Sequence, residues 1–247
     1  MFYRINILFI ATSFLWLPVN ANALINGKPL IATPDVVRIL FNNGWMCSGV
    51  YIDRWTILTA AHCLQKPSSE KEFHIDKILS ENDQPLPVKP TALILHPSFM
   101  QQTWHSYDVG IIKTSQNINY QGKYPLHDNS LKRTGRVLLM GAGKYDLKKN
   151  LSARQTGENS FFHIGSILFL IGVSTNSVEN AGFRTTVAPH DSGGPIVDVE
   201  TNSIIGVMST TTVQQSARYG LLALSTCTSI MSKSNLDFLK SHMGPNP

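Results

Sequence analysis

An all-β body closed by one C-terminal helix is the fold class this sequence predicts. Three observations lead there. Short runs rich in β-branched and aliphatic residues recur along the chain, broken by Gly, Pro, Asn and Ser, as strands separated by turns are. Those runs do not alternate with long amphipathic helical segments, as a parallel α/β sheet requires. The one good helix signal is terminal: Leu236, Leu239 and Lys240 fall at helical spacing between a capping Ser234 or Asn235 and the Gly244-Pro245 stop, which places a helix over about residues 234–243.

Taken in order, the strand-like runs are 36–41, 47–52, 56–60, 93–95, 109–113, 137–140, 166–173 and 204–208. Residues 66–90 are rich in charge and proline and are expected as surface loops. Their acids (Glu70, Glu72, Asp76, Glu81 and Asp83) lack the spacing of a calcium site and are expected to be solvated. The polar stretch 120–133 is a candidate connection between two halves.

With 247 residues the chain can form one large all-β unit or two small domains, and its 43% hydrophobic and 15% charged residues exclude a disordered or coiled-coil class. Arg4, the apolar run 5–19 and Ala21-Asn22-Ala23 form the pattern of an export signal over residues 1–23. The run is shorter than the ~20 apolar residues of a membrane span, and Pro18 and Asn20 end it, so cleavage rather than anchoring is expected. Residues 161–173 are the most apolar stretch beyond it, but Gly165, Ser166 and Gly172 punctuate them, and they are expected as buried strand. Without the leader, 20 basic residues stand against 16 acidic ones, a net +4, and they are scattered, with Lys148-Lys149 and Lys132-Arg133 the densest pairs. No basic stripe of the kind that tracks nucleic acid is present in the sequence. The expected location is secreted or periplasmic, with no membrane attachment after leader cleavage. Of the three cysteines, Cys47, Cys63 and Cys227, an odd one must stay unpaired, and export puts them where a disulfide persists.

Three short segments carry the chemistry. His62 lies in Thr59-Ala60-Ala61-His62-Cys63, directly after an apolar strand. Asp108 precedes Val109-Gly110-Ile111-Ile112. Ser192 lies in His190-Asp191-Ser192-Gly193-Gly194-Pro195, where two glycines permit a tight turn that presents the hydroxyl. Each alone has a plain structural reading, as a core histidine, a strand-end acceptor and a loop serine. In the order His, Asp, Ser they form the set that acyl transfer to a serine needs: a nucleophile, a base and a carboxylate that orients the base. An esterase of another fold would use a Gly-x-Ser-x-Gly elbow and the order Ser, acid, His, and a zinc peptidase a His-Glu-x-x-His motif; the chain has none of these.

These blocks, together with His96-Pro97-Ser98-Phe99 ahead of Tyr107-Asp108, resemble those of the chymotrypsin/trypsin family of serine proteases over essentially the whole mature length. The resemblance implies two six-stranded antiparallel β-barrels with the active site between them. The N-terminal barrel would cover about 24–125, the C-terminal barrel about 126–232, and a helix about 234–243. It implies a secreted serine endopeptidase acting on protein or peptide substrates through an acyl-enzyme, without cofactor or metal, as a monomer of the bacterial, single-disulfide type. Ser192 would be nucleophile, His62 general base and Asp108 its orienting carboxylate, with the N–H groups of His190 and Ser192 as oxyanion hole. Thr186, Ser209 and Thr211 would line the substrate pocket. The amine of Leu24, at a mature start Leu24-Ile25-Asn26-Gly27, would pair with Asp191. Cys47 would be bridged to Cys63, leaving Cys227 as a buried apolar residue.

The chain departs from the family pattern at four places. His190 replaces the usual glycine, Thr186 stands where trypsins carry the aspartate that selects Lys or Arg, Ala188 replaces a cysteine, and Ser209-Thr210-Thr211 stands for Ser-Trp-Gly. Small or medium uncharged residues are therefore expected before the scissile bond. The alternative is a binding module on the same fold without activity; an intact triad weighs against it. His74, His96, His105, His127, His163 and His242 are expected to be structural.

Overall fold

The computed structural model describes residues 24, 27–30, 33–100, 104–117, 119–127, 132–143, 145–146, 151–152, 154–174, 185–216 and 220–245. The expected leader (1–23), Ile25 and Asn26 of the expected mature start, residues 128–131 of the candidate connection and Lys148-Lys149 lie outside them.

The first half holds β1 (Lys28–Pro29), β2 (Val36–Phe41), β3 (Met46–Asp53), β4 (Thr56–Thr59), α1 (Ala61–Leu64), β5 (Ile75–Leu79), β6 (Pro90–Leu95) and β7 (Gly110–Thr114). The second holds β8 (Thr134–Gly141), β9 (Tyr145–Asp146), β10 (Leu151–Ser152), β11 (Gln155–Ile164), β12 (Ile167–Ser174), β13 (Pro195–Asp198), β14 (Ser203–Ser216), β15 (Gly220–Ser229) and α2 (Lys233–Ser241). The expected all-β body with a terminal helix is what forms.

Two antiparallel sheets organise it. The first has the order β5-β2-β3-β4-β7-β6 and curls into a half-barrel. The second runs β11-β12-β15-β14-β13-β8, and a further β8–β11 pairing closes it into a six-stranded barrel, with β1 added beside β11. Two hydrophobic cores form, the first lying mainly within the first sheet but also taking in Met140, Val197, Ile204 and Val207 of the second. Val36, Val37, Ile39, Val50, Ile57, Leu58, Ile111 and Ile112 fill the first, and Leu139, Leu168, Leu170, Ile196, Ile205, Met208 and Cys227 the second. Their aliphatic and β-branched character follows from burial on the inner face of a curled sheet.

The chain ends cross between these cores. Leu24 is buried with the second core, while Phe238 and Leu239 of α2 pack into the first. Just past α2, the Lys113 ammonium, itself buried, donates to the carbonyls of His242 (2.7 Å) and Gly244, and the Gly244 N–H donates to Asp53 Oδ2 (2.7 Å). Arg154, directly before β11, reaches back into the first sheet. Its guanidinium donates to the carbonyls of Val36 (3.2 Å), Leu79 (3.3 Å) and Ser80 and to Asp83 Oδ1 (3.1 Å). Asp83 also accepts from Arg38, whose other nitrogen donates to the Ala142 carbonyl.

Several elements differ from expectation. β5 lies inside the charged stretch expected as loop: Asp76 and Lys77 of Ile-Asp-Lys-Ile-Leu face solvent while Ile78 and Leu79 are buried. Asp83 is not a solvated acid but an ion-pair partner of two buried arginines. Residues 161–173 divide between two strands at Gly165, whose φ of 62° turns the chain. The helix starts earlier, at Lys233, with Ser232 rather than Ser234 or Asn235 at the N-cap, and the Asn235 side chain turns inward to the carbonyls of Ser106 (3.0 Å) and Ser229 (2.7 Å).

Candidate active site

The histidine turn is set by tight packing where β4 ends and β7 begins. Ala60 and Ala61 are fully buried, and a Cβ on Gly110 would come within 3.1 Å of the Ala60 oxygen and of the Ala61 Cα. Small residues therefore let α1 sit directly on the mouth of β7, beside Asp108. Asp108 has no solvent exposure, and its oxygens are occupied by three donors. Oδ1 accepts from the His62 N–H (2.8 Å); Oδ2 accepts from His62 Nδ1 (2.7 Å) and from the Ser209 hydroxyl (2.5 Å). With the proton on Nδ1, His62 keeps its Nε2 lone pair, and the ring retains 28% exposure.

Cys47 and Cys63 form a disulfide with a Cα separation of 6.3 Å, bracing the turn that carries His62, and Cys227 is a free, buried thiol. Cys63 Sγ lies 3.8 Å from both His62 Nε2 and the Ser192 carbonyl, so the sulfur is wedged between the histidine and serine turns. Among the described residues, Cys47, His62 and Cys63 are the one His/Cys/acid group close enough to hold a metal, and with both sulfurs bonded to each other only the imidazole remains as a ligand.

Ser192 stands in a turn between the two sheets. Its hydroxyl donates to the Ser209 carbonyl (3.1 Å). Ser209 thus links the serine to Asp108, through its carbonyl on one side and its hydroxyl on the other. Gly193 has a φ of 87°, and a Cβ there would lie 2.1 Å from Thr59 Oγ1 and 2.2 Å from the Ser48 oxygen, so only glycine fits. The Ser192 N–H makes no hydrogen bond among the described residues. His190 is left-handed at φ 76°, a conformation that costs a side-chain-bearing residue free energy.

Ser48, on β3, was not legible as a site residue in the sequence. Its N–H donates to the Ser192 carbonyl (2.8 Å), its hydroxyl donates to the His190 carbonyl (3.2 Å), and the same oxygen accepts from the Ala142 N–H (2.9 Å). A serine on a buried strand carries no signal of such contacts, which join positions 94 and 142 residues apart.

Asp191 is fully buried. Its Oδ2 accepts from the N–H groups of Leu24 (2.7 Å) and Ala188 (3.0 Å), and Gly141 leaves it room, since a Cβ there would be 2.0 Å from Oδ1. Burial pushes its pKa up to about 7, against the opposing effect of those N–H groups and of the Arg38 charge.

The residues expected in the pocket lie close together. Thr186 is fully buried, with no hydrogen-bond partner for its hydroxyl among the described residues. Ser225 on β15, which the sequence did not flag, accepts from the Val187 N–H (3.1 Å) and shares a hydrogen bond with the Thr211 hydroxyl (2.7 Å). Thr186, Val187, Thr211 and Ser225 bring no charge. His96 stands apart from the reacting groups, stacked on Tyr107 and edge-on to Phe238, with its nitrogens on Ser98 and Ser234, and burial lowers its pKa.

The family model described as Trypsin matches residues 26–228. A venom serine protease of Polistes dominula is 25% identical over 72% of this chain and 71% of its own length. Achelase-1 of Lonomia achelous is 26% identical over 59% of this chain; the match spans 63% of that protein, just under two thirds. Among solved structures, a Glu endopeptidase in complex with MPD superposes with a TM-score of 0.62 at 15% identity, over 87% of this chain and 95% of that one. Neuropsin, a serine protease expressed in the limbic system of mouse brain, superposes with a TM-score of 0.60 at 17% identity, over 88% and 99%. At these identities the structures speak to the fold. No helix among the described residues is long and apolar enough to cross a membrane.

Proposed function

The chain belongs to the trypsin family of serine endopeptidases, and from that premise we propose that it cleaves peptide bonds through an acyl-enzyme on Ser192, with His62 as general base and Asp108 as its orienting carboxylate. The observation that carries this reading is the double contact of His62 with Asp108, through the backbone N–H at 2.8 Å and through Nδ1 at 2.7 Å. A buried carboxylate held this way fixes one tautomer and leaves Nε2 basic.

In the reaction the Ser192 hydroxyl turns from the Ser209 carbonyl toward His62 Nε2, which takes its proton as Oγ attacks the scissile carbonyl. The resulting imidazolium is stabilised by Asp108 and returns the proton to the leaving amine. The N–H groups of Ser192 and His190 receive the oxyanion. Water then repeats the sequence on the acyl-enzyme. The amine of a mature Leu24 pairs with Asp191 and orders this loop; the Leu24 nitrogen lies at hydrogen-bonding distance from that carboxylate.

The rest of the reading follows the same premise. Residues 1–23 are a cleaved export signal, and 24–247 form a secreted or periplasmic monomer without nucleic-acid or membrane partner. Its N-terminal half-barrel covers about 24–125 and its C-terminal barrel about 126–232, followed by the helix Lys233–Ser241. The test is Ser192→Ala in the full-length secreted protein. Peptide turnover should fall by at least about 10⁴-fold, with the melting temperature little changed, because a small substitution in the cleft opens no core cavity. The unsubstituted protein should also react stoichiometrically with a serine-directed phosphonylating reagent. Near-normal turnover by Ser192→Ala would remove the mechanism, and no reaction with the reagent would favour an inactive binding module.

A further inference from the structure

Ser48 and Arg38 are cross-strand partners on β3 and β2. Both reach across to the second barrel and grip the residue between Gly141 and Gly143. The Ser48 hydroxyl accepts from the Ala142 N–H, and Arg38 donates to the Ala142 carbonyl. Ser48 then makes two further contacts, to the catalytic turn. Its hydroxyl hydrogen goes to the His190 carbonyl, and its backbone N–H to the Ser192 carbonyl. The hydroxyl gives its one hydrogen and accepts another, and the residue has no solvent exposure.

These two carbonyls belong to the peptides on either side of the one that carries the Ser192 N–H. Fixing both orients that N–H, and the His190 contact also holds the residue whose φ is 76°. Glycine adopts that conformation without help; histidine does not. We propose that Ser48 is a positioning residue for the hydrolytic reaction, holding the two peptides that flank the Ser192 N–H and so keeping His190 in the left-handed conformation the oxyanion hole needs. It touches neither substrate nor reacting atoms. The inference rests on the reading that His190 and Ser192 supply that hole.

The experiment compares the mature protein with Ser48→Ala, His190→Gly and the double variant. It uses a chromogenic peptide substrate and two reversible peptide inhibitors of one sequence, ending in an aldehyde or in the corresponding alcohol. Only the aldehyde adds to Ser192 and places an oxyanion in the hole. Ser48→Ala should lower kcat about tenfold, a fraction of the 10²–10³ seen when a donor is removed outright. KM should stay within about twofold, aldehyde binding should weaken by the same factor as kcat, and alcohol binding should be unchanged. In the His190→Gly background the same substitution should cost about twofold or less, because glycine needs no hold on its carbonyl. An equal loss in both backgrounds, or an equal loss of aldehyde and alcohol binding, means that Ser48 only supports the fold and overturns the inference. If Ser48→Ala does not fold, Ser48→Cys, close in size and a weaker donor, is read by the same ratios. If the unsubstituted protein fails to prefer the aldehyde, the oxyanion-hole reading falls and this one with it. If it does prefer the aldehyde and Ser48→Ala keeps that preference in full, only the role of Ser48 falls.

Discussion

The backbone N–H of Leu24 lies 2.7 Å from Asp191 Oδ2 inside the protein. With Leu24 still joined to the preceding residue, that donor is a neutral amide, and burial holds the Asp191 carboxyl at about 7 instead of 3.8. A carboxyl raised in the native state keeps a proton that the unfolded chain has already lost. Stability of the uncut chain should therefore fall as pH rises from about 4 to 7, and the loss should be complete above that window. A cut before Leu24 replaces the amide with an ammonium, which favours the carboxylate and should flatten the fall. Urea midpoints of the two forms between pH 4 and 8 make the comparison; superimposable profiles would refute the pairing. Asp191→Asn in the uncut chain should also flatten it.

A substrate pocket at Thr186, Ser209 and Thr211 would carry hydroxyls but no charge, and the buried Thr186 hydroxyl has no hydrogen-bond partner among the described residues. Substrates with Ala, Val or Leu before the scissile bond should be cut at least about tenfold better than those with Lys or Arg, whose cation would be left unpaired on burial. Mass spectrometry of a digested peptide library reads this directly. A dominant Lys or Arg preference would mean that an acid from elsewhere in the chain enters the pocket.

Asp83 is the shared partner of Arg38, which has no exposed side-chain area, and Arg154, which has 5%. Removing one carboxylate strands two guanidinium groups, so Asp83→Ala should cost about 3–5 kcal/mol in denaturant unfolding. Asp83→Asn, which keeps the shape without the charge, should fall between the two. A loss below about 1 kcal/mol for Asp83→Ala would show that Arg38 and Arg154 find enough support in their carbonyl contacts alone.

Burial pushes the Cys227 thiol up to about 12. In the native protein, iodoacetamide should leave it unmodified at pH 8, because the thiolate is scarce and the sulfur is covered; in denaturant one thiol per chain should react. Replacing Cys47 and Cys63 together with alanine should lower stability by about 3 kcal/mol, the loop-closure value for a bridge of this span. Rapid native labelling of Cys227 would show that β15 opens far more readily than its packing implies.

What could be read without coordinates was what one face of the chain dictates locally. The runs at β2, β4 and β7 stand out because Val, Ile, Leu and Thr are buried almost without interruption there. β5 hides because two charged residues precede its buried pair, and β11 because its polar residues outnumber its apolar ones. The residues His62, Asp108 and Ser192 could be picked out because their neighbours form ordered blocks. Ser48 and Ser225 could not, since a serine in a strand has no local pattern that separates a solvent-facing hydroxyl from one gripping a distant turn. Asp83 looked like any loop acid because its two partners are a strand residue 45 positions away and an arginine 71 positions away.

The half-barrel and the barrel are each finished by the other's stretch of chain: Leu24 is buried against the second core, Phe238 and Leu239 against the first, and Arg154 anchors in the carbonyls of β2 and of the end of β5. A single nick in the segment joining the barrels would therefore not yield two particles. The fragments would stay clasped at both ends, like two hands each holding the other's wrist. Electrophoresis under denaturing conditions would show two bands where gel filtration shows one species. An endopeptidase exposed to its own activity thus has, in its crossed ends, a built-in tolerance to being cut.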